Sequence, residues 1–179
     1  MKQTIILLLL LAPLVSMNKG MGSQALVPKK DESVEPTPVV IELTTEERIV
    51  AILKDSGFSH SMQRIILAQA KHESGGFTSR LARQHNNIFG MKHPGRGPTY
   101  SRGPYARAEG RKGYASYLSI DSAVTDYIMY KRRRQIENAI DAKTYVYHLK
   151  KKHYFEAKPD RYLRAVERWM LSDSTVRNF

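Results

Sequence analysis

From residue 85 to residue 117, glycine or proline recurs at short intervals, at Gly90, Pro94, Gly95, Gly97, Pro98, Gly103 and Pro104 among others. Proline removes a backbone donor and glycine carries the largest backbone entropy, so no long helix can cross this stretch. Loops and a small hairpin are what such a segment can form. Within it Tyr105, Arg107 and Glu109 alternate with Ala106 and Ala108, so an extended strand would turn all three polar-tipped side chains to one side. The flanking sequence carries helical periodicity instead. The expected fold class is therefore α+β and mainly helical, with a small Gly/Pro-rich β lobe and a cleft between lobe and helices.

The helical blocks have readable ends. Thr44 and Glu47 have the spacing of a capping box ahead of Ile49, Ile52 and Leu53, and Gly57 closes this first helix after Asp55. A second helix is predicted from about Met62 to Ser74, with Ser61 as its cap and Gly75-Gly76 as its stop. A short third helix, about Phe77 to Gln84, would bring Phe77 and Leu81 onto one face. Helical order resumes at Ser119 with the stripe Ile120, Val124, Tyr127 and Ile128. Further helices are predicted from about Ala142 to Lys151 and from Pro159 to Met170, where Pro159 suits a first turn. There is no internal repeat.

Glu73 stands out in the second helix. Met62, Ile66, Ala70 and Glu73 follow the four-then-three spacing of one helical face, which sets a carboxyl group at the end of an apolar stripe. Partial desolvation and the negative end of the helix dipole both raise a carboxyl pKa, and a raised pKa suits a general acid near neutral pH. By position alone, a solvated residue in a last turn is the plainer reading of Glu73.

A chain of 179 residues with 41% apolar side chains is enough for one domain with a core. Met1-Lys2-Gln3-Thr4 followed by the apolar run Ile5 to Val15 has the proportions of a secretory signal and is too short to span a bilayer comfortably. Residues 1–25 are thus expected to be a signal peptide, an uncleaved anchor being the alternative. Residues 26–43, with Pro28, Pro36 and Pro38 among polar residues, are expected to be a flexible linker. The folded domain is expected over 44–174. Cysteine is absent, which excludes a disulfide scaffold and a thiol nucleophile. The formal charge of +12 favours a polyanionic partner, and for an exported chain that means cell-wall polymer or a membrane surface ahead of nucleic acid. Clusters such as Lys131-Arg132-Arg133-Arg134 also fit a basic surface that keeps the chain soluble.

Three segments carry a resemblance. Leu67-Ala68-Gln69-Ala70-Lys71-His72-Glu73-Ser74-Gly75-Gly76, then Asn86-Asn87-Ile88-Phe89-Gly90-Met91-Lys92, then Tyr114-Ala115-Ser116-Tyr117-Leu118-Ser119 with Asp126-Tyr127 resemble the glucosaminidase domain of bacterial cell-wall hydrolases, glycoside hydrolase family 73. The Glu-Ser pair alone is shared with lytic transglycosylases, whereas the Asn-Asn-Ile-Phe-Gly-Met-Lys segment is far more specific. The resemblance runs from about Ile49 to Met170. It implies a lysozyme-like fold and hydrolysis of the β-1,4 bond after N-acetylglucosamine in peptidoglycan, without a cofactor, by a secreted or periplasmic monomer. Peptidoglycan glycan strands would be the partner, with no nucleic acid and no stable membrane insertion after signal cleavage.

Residue by residue, Glu73 matches the family's general acid. The second carboxylate departs from the pattern: relatives place a Glu after a Thr in the hairpin, and the hairpin acid here, Glu109, follows Ala108 and lies between Arg107 and Arg111. Nearby arginines favour an ionised Glu109, the state a partner of a protonated acid needs. Asp121 is a fallback, although its position in a first helical turn suits the helix end. The substrate's own 2-acetamido group is a third possibility. Tyr154 matches the tyrosine that lines the cleft in relatives, with Phe155 in place of the usual Ala after it. Asn87, Phe89, Tyr105 and Tyr117 are candidate substrate-binding residues. For each a structural role stands beside that one: Asn for a tight turn, Phe89 for packing behind the acid, the tyrosines for core or cleft wall.

His60, His72, His85 and His93 fall near the expected site, yet their spacing fits no zinc pattern and His72-Glu73 lacks the second His of a zincin, so no metal is expected. No phosphate-binding Gly loop and no Gly-x-Ser-x-Gly elbow occurs. Two other functions remain compatible with the residues: a lytic transglycosylase using Glu73 alone, and a non-catalytic basic module that binds wall polymer or another polyanion.

Overall fold

The computed structural model describes residues 42–105 and 113–172. The expected signal peptide, the expected linker almost to its end, Glu109 and the expected strand continuation through Arg107 lie outside the described residues. Among the described residues six helices and two short strands occur in the order α1 (Thr45–Asp55), α2 (His60–Ser74), α3 (Arg80–His85), β1 (Gly103–Tyr105), β2 (Tyr114–Ser116), α4 (Ile120–Arg134), α5 (Ala142–Lys151) and α6 (Pro159–Ser172). None of these helices is long and apolar enough to cross a membrane.

Local chemistry starts each helix. Thr44 Oγ1 accepts from the Glu47 amide at 3.2 Å while Glu47 Oε2 accepts from the Thr44 amide at 2.8 Å, a closed capping box for α1. Ser119 and Asp141 cap α4 and α5 in the same way, each accepting from the amide three residues on. Two boundaries differ from expectation. Ser59, not Ser61, caps α2 through the Met62 amide, because helical dihedrals already begin at His60. The third helix starts at Arg80 with Ser79 as cap; Phe77 lies outside it with φ +66, since two left-handed glycines have just turned the chain.

α2 is the spine. Met62, Ile65, Ile66, Leu67, Ala68 and Ala70 are all buried, so the helix is enclosed nearly all round and not packed by one stripe. It packs on α1 and α6, while α4 lies on α1 and α5 on α6. Inside this bundle the hydroxyls of Tyr127 and Tyr145 lie 2.6 Å apart and reach Gln69 Oε1 at 2.6 and 3.2 Å, tying α4 and α5 to α2. Phe89 stacks on Tyr127 with ring centres 4.0 Å apart, which seats the loop before β1 against the same core.

The lobe is a two-stranded antiparallel sheet in which Gly103 faces Ser116, Pro104 faces Ala115 and Tyr105 faces Tyr114. Lys92 adds an isolated bridge to Tyr114. Asn87 staples the lobe: its Nδ2 donates to the carbonyls of Met91 and Ala115 at 2.9 and 2.8 Å, and its Oδ1 accepts from the Met91 amide at 2.9 Å. Asn86 takes the left-handed conformation that Asn tolerates, at φ +50.

Candidate active site

Glu73 lies in the last turn of α2, and the sequence behind it forces the helix to stop there. Gly75 and Gly76 adopt φ +61 and +66, and the Gly76 amide closes back on the Lys71 carbonyl at 2.7 Å. Buried Ser74 donates to the Ala70 carbonyl at 2.6 Å and accepts from the Phe77 amide at 2.9 Å, so the reversal is fixed from both sides. A Cβ on Gly76 would come within 3.0 Å of the Trp169 ring, so glycine here also lets α6 approach the end of α2.

The half-buried carboxyl of Glu73 opens on a cavity of about 650 Å³. The loop after α3 supplies Phe89, Gly90, Met91 and Lys92, α4 supplies Asp126, Tyr130, Arg133 and Arg134, and the turn after α5 supplies His153, Tyr154 and Phe155. Burial pushes the Glu73 carboxyl above its ordinary range, and a hydrogen bond from the Tyr162 hydroxyl to Oε1, 2.6 Å long, partly opposes the shift by favouring the charged form. Tyr162 itself is held on both sides: the Phe155 ring lies parallel to it at 4.0 Å and the His72 ring meets it edge-on at 5.1 Å. The hydroxyl of Tyr162 is driven well above its usual pKa, first by burial and then by Tyr154 and Glu73, so it stays a donor.

Tyr154 comes into the cavity because α5 ends in a tight turn. Its amide bonds the Leu149 carbonyl at 3.0 Å, and His153 before it takes φ +55. The Tyr154 hydroxyl donates to the Phe89 carbonyl at 2.8 Å, joining the far wall to the loop that carries Gly90. A Cβ on Gly90 would lie 3.6 Å from Glu73 Oε2, so this loop passes directly beside the acid.

Of the residues singled out by sequence, Glu73, Phe89 and Tyr154 meet at this cavity, Phe89 with its ring buried against Tyr127. Three others do not line it. The amide of Asn87 is buried and committed to lobe backbone. Tyr117 is buried and gives its hydroxyl to Asp126 Oδ2 at 2.8 Å. Tyr105 stacks on His85 at 3.6 Å, with Arg80 above the ring at 5.9 Å. Each has found a protein partner for the group that would have met substrate. Asp121 also lies away from the cavity, in a two-pronged pair with Arg48 at 2.8 and 3.1 Å.

Sequence reasoning missed two residues here. Tyr162 has the helical spacing of Val166 and Trp169 on α6, and nothing local announces that its hydroxyl reaches Glu73. Asp126 belonged to a recognised segment but had no assigned part. It is buried, lines the cavity, and accepts from Thr99 Oγ1 at 3.0 Å, the Tyr100 amide at 3.1 Å and the Tyr117 hydroxyl. Those bonds hold the 99–101 segment and β2 to α4. Among the described residues no group of three or more His, Asp or Glu side chains converges to hold a metal ion.

A chain of a type VI secretion system effector–immunity complex from Pseudomonas protegens superimposes with a TM-score of 0.51 at 16% identity, covering 70% of this chain and 88% of that one. The catalytic domain of the autolysin Auto from Listeria monocytogenes gives 0.47 at 19% identity, over 75% and 87% of the two chains. Protein bax of Escherichia coli (strain K12) is 37% identical over 65 residues, which are 36% of this chain and about a fifth (21%) of that protein. Residues 51–174 match the family Glucosaminidase, described as mannosyl-glycoprotein endo-beta-N-acetylglucosaminidase. With its helical body, its two-stranded lobe and that match over most of its length, the chain belongs to the glucosaminidase family, glycoside hydrolase family 73, and has its lysozyme-like fold.

Proposed function

We propose that the protein is a peptidoglycan hydrolase that cleaves the β-1,4 bond after N-acetylglucosamine, an endo-β-N-acetylglucosaminidase with Glu73 as general acid. The observation that carries this reading is the Glu73 carboxyl, held by Tyr162 at the edge of an open cavity with its pKa raised by burial. A protonated carboxyl in that position can hand its proton to the departing glycosidic oxygen as positive charge builds on the sugar ring. Tyr154, with its hydroxyl anchored on the Phe89 carbonyl, forms the opposite wall against which the sugar or its acetamido group rests. Glu109 is the candidate to assist water or the developing cation. The residues over 44–174 form the catalytic domain, acting outside the cytoplasm, where its substrate lies.

One observation favours a second reading. Among the described residues the acids lining the cavity are Glu73 and Asp126, and Asp126 is already bound by three donors. A site with one available carboxyl suits a lytic transglycosylase, in which the substrate closes on itself and no water is activated. Product chemistry separates the two. The chain is incubated with purified peptidoglycan, the products are reduced with borohydride, and the terminal sugar is identified by mass. Glucosaminitol ends, absent with Glu73→Gln and diminished with Glu109→Gln, are expected. Anhydro ends would replace this reading with the transglycosylase one, and muramitol ends would overturn both.

A further inference from the structure

The cavity carries an excess of positive charge that the acid chemistry does not use. Lys92 and Arg96 reach it from the loop after Phe89, and Arg133 and Arg134 reach it from the last turn of α4. All four are exposed, and none forms an ion pair with an acid among the described residues. Three are oriented by neutral groups: Arg133 donates to the Pro98 carbonyl, Arg134 sits 5.8 Å from the Tyr130 ring centre, and Lys92 lies 3.3 Å from that of Tyr114. A helix C-terminus explains why cations are tolerated at Arg133 and Arg134. It does not explain why a separate loop brings Lys92 and Arg96 to the same cavity. Against these four cations the cavity sets the buried Asp126 carboxyl, already taken up by three donors, and the acid Glu73; an excess of like charge raises the local potential, and such a cleft concentrates anions.

The glycan backbone of the proposed substrate is neutral, and its negative charge resides on the muramoyl residues. There it is carried either by the free carboxylates of stem peptides or, where the peptide is missing, by the lactyl carboxylate itself. We propose that Lys92, Arg96, Arg133 and Arg134 form a carboxylate-reading subsite that selects strands whose muramoyl substituents carry free carboxylates over strands in which these are amidated. Guanidinium groups suit this task because their planar donors match a carboxylate two-on-two. The subsite rests on the reading of the cavity as a glycan cleft.

The test separates binding from cleavage. The full chain carrying Glu73→Gln is co-sedimented with insoluble peptidoglycan, either untreated or with its carboxylates converted to amides by carbodiimide and ammonium ion. Binding to the untreated form is expected to be about threefold to tenfold tighter, the range for a few exposed charge pairs acting together. That ratio should fall towards one in Arg133→Gln/Arg134→Gln and in Lys92→Gln/Arg96→Gln, the second pair guarding against a loop loosened by loss of the Arg133–Pro98 bond. Lys151→Gln/Lys152→Gln, which removes the same charge outside the cavity, should keep the ratio. Equal sedimentation with both forms, or an equal loss in the control pair, overturns the proposal. Soluble strands stripped of peptides by an amidase, native or amidated and used as competitors of the sedimentation, identify the source: retained discrimination assigns the lactyl carboxylate, and its loss assigns the stem peptide. Discrimination without cleavage by the wild-type chain would sink the hydrolase reading alone, and cleavage without discrimination would sink the subsite alone.

Discussion

The hydroxyl of Tyr162 on α6 donates to Glu73 Oε1 on α2 at 2.6 Å, across 89 residues of chain. This bond pulls against burial, because a donor to the carboxylate favours the ionised form. In Tyr162→Phe burial acts unopposed and the Glu73 pKa climbs further, so the alkaline limb of the pH profile for kcat/KM should move to higher pH. The carboxyl also loses its rotational anchor, and kcat should drop about tenfold. Peptidoglycan clearing followed across pH checks both effects. A tyrosine that served only to fill the core would lower activity without moving the limb.

Replacing Glu73 by Gln should cost catalysis and help the fold. Without a transferable proton, activity should decline by about a hundredfold or more. The native carboxyl pKa lies above the unfolded value, so its contribution to stability is fully present below the unfolded pKa and is lost as pH rises through the folded one. Glutamine has no such dependence and can still accept from Tyr162. The melting temperature of Glu73→Gln should therefore gain on wild type as pH rises from about 4, the unfolded carboxyl value, through the raised folded one. A constant difference over that range would contradict the raised pKa.

Asp126 gathers three donors from two segments, and an amide cannot accept as they require. Asp126→Asn turns an NH2 group towards at least one of them, leaving a buried donor unmet, and should destabilise the chain by about 2 kcal/mol in urea unfolding. Thr99→Val, which removes one donor and leaves the acid two, should cost less.

Gly90 passes beside the acid with φ +60, and a Cβ there would stand 3.6 Å from Glu73 Oε2. Alanine in this left-handed position should cost about 1 kcal/mol of stability. Its methyl group would also occupy space that the glycosidic oxygen needs. Activity of Gly90→Ala, measured well below its melting temperature, should fall about tenfold, more than unfolding explains. Gly57, with φ +83 and open space around it, is the control: Gly57→Ala should lose stability and keep activity.

Local sequence already sets the helix ends and the position of the acid. Thr44 with Glu47, Gly75 with Gly76, and Pro159 are local devices that act within one or two helical turns, so helix ends and the stop after Glu73 could be read from neighbours alone. The cap of α2 lies at Ser59, two residues before the expected Ser61, because two serines compete for one cap. The apolar stripe ending at Glu73 likewise needs only the helical period. Which polar tips meet depends on how the helices and the lobe pack. Periodicity says that Tyr162, Tyr117 and Tyr105 each lie on a particular face, but a tyrosine buries its ring in the same way whether its hydroxyl meets Glu73, Asp126 or a sugar. Only the packing of α6 on α2 brings Tyr162 to the acid, only the fold of the lobe turns Asn87 and Tyr117 inward, and only the closeness of α3 gives Tyr105 its partner in His85. Such contacts join residues far apart in the chain, and a pattern that repeats every few residues carries no information about them.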